Sequence, residues 1–505
     1  MFFDLNIGNL AEPVSGRSWS RQEIHRQVAR RVARFQRHGL ARGDRVFLPF
    51  GNSLEFFAEL LAIWKLGACA VPIDARLTPF EIKTLVAAAL PKLAVIDHLT
   101  EAMVTQALAE AGVPAFETTD TGSEEAQAGL SQLDDDALIL FTSGSTGAPK
   151  GVVHTHRSLR ARWMGLRDSI GVEAFARTLC LLPTHFGHGL ICNCLFPWLS
   201  GKDLFITPPF KPEIIMRLGK LLDDNRITFM SSVPAIWKLA LKLSKPPQAK
   251  TLQRVHCGSA PLSAHAWNEI RNWTGTRQVC NAYGITETGS WVAGLSDADC
   301  DAEDGLIGEG WGAIIKVLKT SDATLPLSPA DECQPGESGF VWLNTPALMK
   351  GYFQRDDLTR LAVSDGWFLT GDIGAIDERG RLVLRGRERD EINKGGMKIY
   401  PADVDAVVER FERASDVCTF ALDDEIYGQA IGIAVVLSNK DDATIRALYS
   451  WMKAHLAEHK MPVRWWVVEE IPRTSRGKIN RDAVKAACAN FAAIDLNRIL
   501  AGEKN

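Results

Sequence analysis

The sequence lacks the marks of a membrane, secreted or nucleic-acid-binding protein. Nowhere in its 505 residues does an apolar stretch approach the ~20 residues of a membrane span. The beginning of the chain has neither the basic region nor the apolar core of a signal peptide. A formal net charge of −4 gives no electrostatic footprint for nucleic acid or an anionic membrane. These absences predict a cytoplasmic protein that binds neither nucleic acid nor a membrane.

The cysteines lack a pattern as well. There are ten at irregular spacing, and the close pair Cys192 and Cys194 is not followed by the ligands that a zinc site needs. We therefore expect reduced, buried thiols. The composition, 46% hydrophobic and 23% charged, is that of a globular protein. Because 505 residues are too many for one ordinary core, two or more domains are predicted.

Helices and strands alternate near the start of the chain. Ser20 and Glu23 form the pattern of a capping box, after which apolar residues recur at helical spacing. The following residues predict a strand at 45–49, a helix at 54–66 and another strand at 68–73. Such alternation predicts parallel sheets covered by helices, an α/β fold.

A domain boundary is predicted at residues 387–390. A helix at 401–411 and a strand at 432–437 are expected after it. The residues beyond the boundary are enough for a small α+β domain. The prediction is therefore a large N-terminal domain over 1–386 and a small C-terminal domain over 387–505.

The most informative segment is a loop at 141–151 that is rich in glycine and hydroxyl side chains. Glycines let backbone N–H groups turn toward an anion, hydroxyls donate to phosphate oxygens, and Lys150 adds a positive charge. It is not a Walker A loop, because Lys150 is followed by Gly151. A flexible linker is the alternative, but the apolar strand expected at 137–141 favours a polyphosphate site. The predicted contacts are Thr142, Ser143, Gly144, Ser145, Thr146, Gly147 and Lys150.

This loop resembles the phosphate loop of the adenylate-forming superfamily, which includes acyl-CoA synthetases, nonribosomal-peptide adenylation domains and beetle luciferases. Further segments match that superfamily's motifs in order along nearly the whole chain, and the chain is most similar to an acyl-CoA synthetase. The segments are Gly-Ser-Ala-Pro at 258–261, Asn-Ala-Tyr-Gly-Ile-Thr-Glu at 281–287, Trp-Phe-Leu-Thr-Gly-Asp at 367–372, Gly-Arg-Glu-Arg-Asp at 386–390, Gly-Gly-Met-Lys-Ile-Tyr-Pro at 395–401 and the lysine-bearing stretch at 472–481.

The resemblance implies a fold and a set of nucleotide contacts. The fold is α/β, with a large domain of helix-covered, mostly parallel sheets and a β-barrel-like part, and a small mobile α+β domain. ATP, Mg²⁺ and a thiol acceptor are the implied cofactors and substrates. The implied nucleotide contacts are Gly258, Ser259, Ala260, Asn281, Ala282, Tyr283, Gly284, Asp372 and Arg387.

Three of these roles have plain structural alternatives. Tyr283 is expected to stack on adenine, but it could be an ordinary core aromatic. Asp372 is expected to accept from both ribose hydroxyls, but it could be a turn aspartate. Thr286 and Glu287 suit the α-phosphate, with Glu287 as the magnesium ligand, but that glutamate could instead start a helix.

Lys478 and Arg389 carry the expected chemistry of the small domain. The resemblance implies that Lys478 meets the carboxylate and the α-phosphate during adenylation; a surface lysine is the alternative. Arg389 stands at the hinge, where the superfamily usually has Asp or Lys. The small domain is expected to rotate there after adenylation, withdrawing Lys478 and bringing in the segment at 395–396.

The acid-binding segment is the least determined. Phe186 matches an aromatic gate beside the carboxylate. Relatives that activate amino acids carry an Asp directly after the gate, whereas this chain has Gly187, so that an α-ammonium would be left unpaired. His185 and His188 could bind a second polar group or be neutral structural histidines. The expected acyl wall consists of Trp237, Trp291, Val292 and Ala293, and its two tryptophans favour short or medium-length acids.

The predicted function is ATP-dependent activation of a carboxylic acid to an acyl-adenylate, followed by transfer to coenzyme A. Transfer to the phosphopantetheine of a carrier protein is the close alternative. Luciferase-like oxygenation would use the same motifs. A catalytically silent adenylate-binding protein is the alternative from another class, although such a binder has no need of Lys478.

Overall fold

The computed structural model describes most of the chain. The described residues are 6–122, 125–126, 131–143, 149–208, 211–324, 327–394, 397–424, 427–474 and 478–501.

The first helix, Arg21–Arg37, begins where the capping pattern predicts. The Ser20 hydroxyl accepts a hydrogen bond from the backbone N–H of Glu23, which satisfies one of the donors at the helix start. Ile24, Val28 and Val32 are buried on one face of this helix, so that the helix packs against the sheet core. The predicted strand–helix–strand succession follows as Arg45–Leu48, Leu54–Lys65 and Cys69–Pro72.

One sheet of the large domain carries the phosphate-loop hairpin. Among the described residues it has seven strands, mostly parallel, with an antiparallel pair and a short strand at one edge. In sheet order these are Gly351–Tyr352, Pro149–Thr155, Asp136–Ser143, Cys69–Pro72, Arg45–Leu48, Leu93–Ile96 and Ala115–Glu117.

A second, larger sheet holds the Gly-Ser-Ala-Pro segment at 258–261, which resembles the superfamily's adenine-side segment, and the Tyr-Gly-Ile-Thr-Glu segment. Its parallel part places the carboxyl ends of neighbouring strands together, which is where open α/β sheets bind ligands. In sheet order that part consists of Val279–Ile285, Arg254–Gly258, Phe229–Ser232, Arg177–Cys180, Asp203–Ile206 and Leu10–Glu12, with Arg17–Trp19 antiparallel at the edge.

The other half of this sheet is antiparallel and curls. Its outer strand, Ile314–Leu318, is joined to Leu306–Gly310 by residues 311–313 alone, although three strands separate the two in the sheet order. So short a connection requires the run to bend back on itself, which gives the predicted barrel-like part. In sheet order the run is Ile314–Leu318, Gly339–Asn344, Trp367–Ile376, Leu382–Arg387, Leu306–Gly310 and Ser290–Gly294, and Val363–Ser364 pairs with Trp367–Ile376.

The small domain is built on a separate sheet. The long hairpin Ala414–Asp424 and Gly428–Leu437 forms its centre, and Arg464–Val467 adds a parallel strand. Ile392–Lys394 and Met397–Ile399 complete it among the described residues. The core beneath it contains Ile431, Ile433 and Trp465. The first strand of this sheet begins just after residues 387–390, where the domain boundary is predicted.

Helices cover these sheets. No helix within the described ranges is long and apolar enough to cross a membrane. All ten cysteines are free thiols, and only two of them are partly exposed. The remaining α-helices are Pro79–Ala89, Ala102–Glu110, His156–Ile170, Phe196–Trp198, Pro212–Met216, Leu218–Asp224, Pro234–Leu243, Ala264–Thr274, Asp356–Ala362, Pro401–Glu409, Asp442–His455, Arg481–Cys488 and Leu496–Ala501; a π-helix runs over His188–Leu195, and short 3₁₀ turns lie at Glu173–Phe175, Thr286–Thr288, Pro329–Asp331, Glu388–Asp390 and Glu458–Lys460.

Candidate active site

The predicted phosphate loop joins the two strands of a hairpin. Asp136–Ser143 and Pro149–Thr155 pair antiparallel, with Thr142 directly opposite Lys150. Buried side chains such as Ile139 anchor the hairpin in the sheet, so that its base is held rigidly. Of the predicted phosphate contacts, Gly144, Ser145, Thr146 and Gly147 lie outside the described residues, and of Ser143 only the backbone is described.

A tyrosine that the sequence did not indicate connects the lysine of this loop to the predicted magnesium ligand. The ammonium of Lys150 lies 5.6 Å from the centre of the Tyr352 ring. The Tyr352 hydroxyl donates to Glu287 Oε1 at 2.8 Å. Burial, and then the adjacent Glu287 carboxylate, raise the pKa of Tyr352, so that the phenol remains a donor. Tyr352 therefore fixes the direction of the Glu287 carboxylate.

Glu287 belongs to a short turn between two antiparallel strands. The turn Thr286–Thr288 is a single 3₁₀ unit between Val279–Ile285 and Ser290–Gly294. No α-helix begins at Glu287, because the chain reverses here after one 3₁₀ turn. His154, a residue that the sequence analysis did not single out, ties the turn to the phosphate hairpin: its Nε2 lies 2.7 Å from the backbone oxygen of Thr286.

The predicted ribose residues form a second connected group. Asp372 is buried, and its two carboxylate oxygens have different partners. Tyr283 donates its hydroxyl to Oδ2 at 2.5 Å, and Arg387 Nε lies 2.9 Å from Oδ1. The negative charge of Asp372 raises the pKa of Arg387, which is therefore a fixed cation. Asp372 and Arg387 come together because Trp367–Ile376 and Leu382–Arg387 are paired strands with these two residues in register.

The adenine-side segment begins where the strand Arg254–Gly258 ends. A side chain at position 258 would lie 2.4 Å from the backbone oxygen of Ala282, so this close approach of strands requires Gly258. The next residue, Ser259, adopts a left-handed backbone with φ of 65°, which costs about 1–3 kcal/mol for a non-glycine residue. Asn281 is buried, and its amide donates to the backbone oxygen of Leu306 at 3.0 Å. Asn281 therefore braces the strand.

His188 lies at the meeting point of the predicted acid and adenine segments. Its Nδ1 is 2.7 Å from Ser259 Oγ and its Nε2 is 2.6 Å from Ser231 Oγ. It is the first residue of the π-helix His188–Leu195, a helix type often found at functional sites. Burial, together with the nearby positive charge of Lys478, lowers the pKa of His188 to about 3. The ring is therefore neutral at physiological pH.

Because His188 is neutral in the folded protein, we expect the free energy of unfolding to depend on pH. The unfolded chain binds a proton at His188 near pH 6.5, whereas the folded chain does so only near pH 3. Stability is therefore complete above pH 6.5 and falls as the pH is lowered, by ~2 kcal/mol at pH 5 from this one residue. In His188→Asn, the thermal unfolding midpoint should fall less between pH 7 and pH 5 than in the wild type. The exposed residue His98 provides the control, His98→Asn, and equal declines in His188→Asn and the wild type would contradict the assignment.

Gly187 lies against the strand that carries the predicted acyl wall. A Cβ at position 187 would lie 3.5 Å from Cβ of Ser290, an ordinary contact, so that a Cβ is tolerated there. Phe186 is buried beside His185, with ring centres 5.6 Å apart. His185 Nε2 is in turn 3.6 Å from Asp74 Oδ2.

The residues predicted to form the acyl wall do not all lie on one surface. Trp291 packs against His188, with ring centres 5.7 Å apart. Val292, the next residue in the strand, packs instead in the core around Tyr283. Trp237 donates to the Ser232 hydroxyl at 2.7 Å and packs on Trp273. Since Ser231 contacts His188 and Ser232 follows it in the strand, Trp237 lies on the opposite face of the sheet.

Lys478 reaches this region from the small domain, and ion pairs connect the two domains. Lys238 of the large domain lies 2.6 Å from Asp416 of the small domain. Arg410 of the small domain pairs with Asp304 of the large one. At the predicted hinge, Arg389 is largely exposed and lies 3.5 Å from Asp390. In this arrangement the charge of Lys478 is near enough to His188 to help lower the pKa of that histidine. Gly395, Gly396 and Gly477 lie outside the described residues.

The chain belongs to the family of AMP-binding enzymes. It matches that family over residues 9–353 and the AMP-binding enzyme C-terminal domain over residues 403–478. This confirms the predicted adenylate-forming superfamily, its two-part α/β fold and the class of AMP-forming acid–thiol ligases. The boundary at 387–390 falls between the two matched regions and stays a prediction.

Individual relatives cover almost the whole chain. A long-chain-fatty-acid–CoA ligase of Mycobacterium tuberculosis is 28% identical over 465 residues, covering 88% of each chain. A 2-succinylbenzoate–CoA ligase of Geobacillus is 26% identical over 477 residues, covering 93% of this chain and 92% of its own. The ATP-bound structure of MatB from Rhodopseudomonas palustris superposes with a TM-score of 0.84 at 25% identity, covering 96% of this chain and 97% of that one.

Proposed function

We propose that the chain uses ATP to activate a plain carboxylic acid and then passes the acyl group to the thiol of coenzyme A. In the first step a carboxylate oxygen attacks the α-phosphorus, the bond to pyrophosphate breaks, and an acyl-adenylate forms. In the second step the thiolate sulfur attacks the acyl carbon and AMP leaves. The observation that carries the proposal is the pair of connected polar groups in the large domain: Lys150, Tyr352 and Glu287 in one, and Tyr283, Asp372 and Arg387 in the other.

The phosphate end of the site has the charges that the first step needs. Pyrophosphate leaves with negative charge, and preorganised cations stabilise that charge. Lys150 stands at the base of the phosphate hairpin, beside Tyr352 and therefore near Glu287. We assign Lys150 and the hydroxyls of the loop to the β- and γ-phosphates, and Thr286 and Glu287 to the α-phosphate.

The donor chemistry of this site fits a magnesium ion. Mg²⁺ takes hard oxygen ligands, commonly one or two carboxylates together with phosphate oxygens. Glu287 supplies a partly exposed carboxylate that contacts Tyr352, on the strand paired with the hairpin strand Pro149–Thr155. Within the described ranges no three His, Cys, Asp or Glu side chains gather into a metal site. Phosphate oxygens of the nucleotide would be the other ligands. When bound, the ion neutralises phosphate charge.

The ribose end is assigned to Asp372 and Arg387. A carboxylate can accept from two hydroxyls at once. Arg387 pairs with Asp372 Oδ1, and the Tyr283 hydroxyl donates to the other oxygen, so that both partners orient the carboxylate. We place the adenine against Tyr283 and the segment Gly258, Ser259 and Ala260, because the strands that carry them are paired in register at Gly258 and Ala282.

Coenzyme A is proposed as the acceptor in preference to a carrier protein. The similar proteins named above as curated relatives are both CoA ligases. The test is release of AMP and pyrophosphate with an acid panel, followed by thioester formation with coenzyme A and with a phosphopantetheinylated carrier protein in parallel. ADP and phosphate as the stoichiometric products would overturn the adenylation step, and thioester on the carrier protein alone would overturn the acceptor.

Plain carboxylic acids should outperform all twenty amino acids in pyrophosphate exchange, because Gly187 supplies no carboxylate for an ammonium group. The Cβ of Gly187→Asp makes only ordinary contacts, so the substitution creates no clash at that atom. It should lower the rate with plain acids at least about tenfold, because two carboxylates then face one another.

Gly187→Asn is the matched control for this substitution. It has the same shape without the charge and should keep most of the activity. A strong exchange signal for the wild type with an α-amino acid alone would contradict the prediction.

A further inference from the structure

The face of the large sheet below Ser259 is filled by rings. Ser231 and His256 are Cα partners on neighbouring strands, so that their side chains share a face, and His188 contacts Ser231 on that face. The Trp291 ring centre lies 5.7 Å from that of His188 and 4.4 Å from that of His256. The His256 ring in turn stacks at 5.4 Å on Trp311. An acyl chain that runs along this face from Ser259 therefore meets first His188 and then Trp291.

These rings also carry buried donors. Arg254 Nε donates to His256 Nε2 at 2.8 Å, and a guanidinium does not give up its protons. Nε2 is therefore the acceptor, and the proton of this neutral, buried ring is on Nδ1. Within the described part of the chain, His256 Nδ1, Trp291 Nε1 and Trp311 Nε1 have no hydrogen-bond partner. These three buried N–H groups lie around one histidine ring. A buried donor without a hydrogen-bond partner costs free energy, so an acceptor is expected among them.

We infer that the acid is short and carries an oxygen acceptor at the end away from its carboxyl group, and that Trp291 selects for both properties. Trp291 is the member of the ring cluster that contacts His188, and so it stands between the active site and the other donors. Its ring limits the length of the acid, and its N–H pairs with a distal hydroxyl, carbonyl or carboxylate oxygen. This inference rests on the proposed function and names its substrate class.

The experiment compares acids of equal length that differ only at the far end. Acid-dependent pyrophosphate release is measured with butanoate, 4-hydroxybutanoate and succinate, and with decanoate to test length. We expect the better of the two oxygen-bearing acids to exceed butanoate in kcat/KM by roughly tenfold to a hundredfold, because with butanoate the buried donor stays unpaired. Decanoate should be the poorest substrate.

Two substitutions separate the hydrogen bond from the length limit. Trp291→Phe removes the N–H but keeps most of the ring, and the preference for the oxygen-bearing acid should fall to within about threefold. Trp291→Ala opens the wall and should raise the kcat/KM of decanoate relative to butanoate. Trp237→Phe is the matched control, since it removes an indole N–H on the opposite face of the same sheet and should leave the ranking unchanged. Ratios within one variant cancel any loss of folded protein.

Each outcome decides the inference. A wild type that prefers butanoate or decanoate overturns it, and so does an unchanged ratio in Trp291→Phe, which would mean that an internal water satisfies the donors. The proposed function itself would be overturned if the enzyme released no pyrophosphate with any acid, including longer aliphatic and aryl acids. Pyrophosphate release without the predicted ranking would refute only the inference about the substrate class.

Discussion

Lys478→Ala should slow formation of acyl-adenylate from acid and ATP by about 10²- to 10³-fold, the effect expected when one preorganised charge is removed from a transition state. The charge of Lys478 lies close enough to His188 to lower its pKa, and His188 in turn contacts the adenine-side residue Ser259. No other step should suffer as much. Supplied with synthetic acyl-adenylate and coenzyme A, the variant should form thioester at a substantial fraction of the wild-type rate, because the second transition state is proposed to form after the small domain has withdrawn Lys478.

Two further variants make this result specific. Lys453→Ala removes an exposed lysine from a helix of the same domain and should change neither half-reaction. Arg389→Pro should do the opposite of Lys478→Ala: adenylate still forms, but thioester formation slows, since proline fixes φ where the rotation is proposed. Equal loss of both half-reactions in a folded Lys478→Ala protein would show that either the lysine or the rotation is misassigned.

Glu287→Gln should lower the rate of adenylation by at least ~10²-fold, because one main electrostatic contact of the transition state is lost. Glutamine keeps an oxygen that can accept from the Tyr352 hydroxyl, so the substitution removes the charge and leaves the hydrogen bond of 2.8 Å possible. The Mg²⁺ concentration that gives half-maximal pyrophosphate release should also rise, since a carboxylate ligand has become an amide.

Tyr352→Phe is the complementary variant. It keeps the Glu287 carboxylate but removes the donor that orients it, and its effect should be smaller than that of Glu287→Gln, with little change in the Mg²⁺ requirement. If Glu287→Gln left the Mg²⁺ dependence unchanged, Glu287 would not be the magnesium ligand, whatever its effect on the rate.

Local patterns predicted much of the fold. The Ser20 cap, the first helix and the strand–helix–strand succession that follows all depend on short-range spacing, and they occur within a few residues of the predicted positions. The same holds for the helix Pro401–Glu409 and the strand Gly428–Leu437 of the small domain, although the latter begins earlier than predicted. The apolar strand expected at 137–141 is likewise found, as Asp136–Ser143, whereas phosphate binding by the loop after it stays a prediction.

The residues that the sequence did not reveal depend on pairing between distant segments. Tyr352 is brought to Glu287 because a short edge strand, Gly351–Tyr352, pairs with Pro149–Thr155, and nothing in the local sequence marks that pairing. The separation of Trp237 from Trp291 likewise follows from which face of the strand Phe229–Ser232 each one packs against. A single sequence does not give this information, so the acyl wall could be predicted only as a set of candidate segments.

The charge arrangement around Asp416 bears on how the two domains part. Asp416 is paired twice: with Lys238 of the large domain at 2.6 Å, and with Arg473 of its own domain at 2.8 Å through both carboxylate oxygens. Burial opposes ionisation, but these two cations keep the pKa of Asp416 below its ordinary value. If the small domain turns after adenylation, as proposed, Asp416 gives up Lys238 but retains Arg473, so no buried charge is stranded. Lys238 also lies 3.4 Å from Glu409 of the small domain, so that this one lysine holds two carboxylates across the boundary. The contact therefore favours one domain arrangement, and when it is released Lys238 returns to water while Asp416 keeps a cation partner.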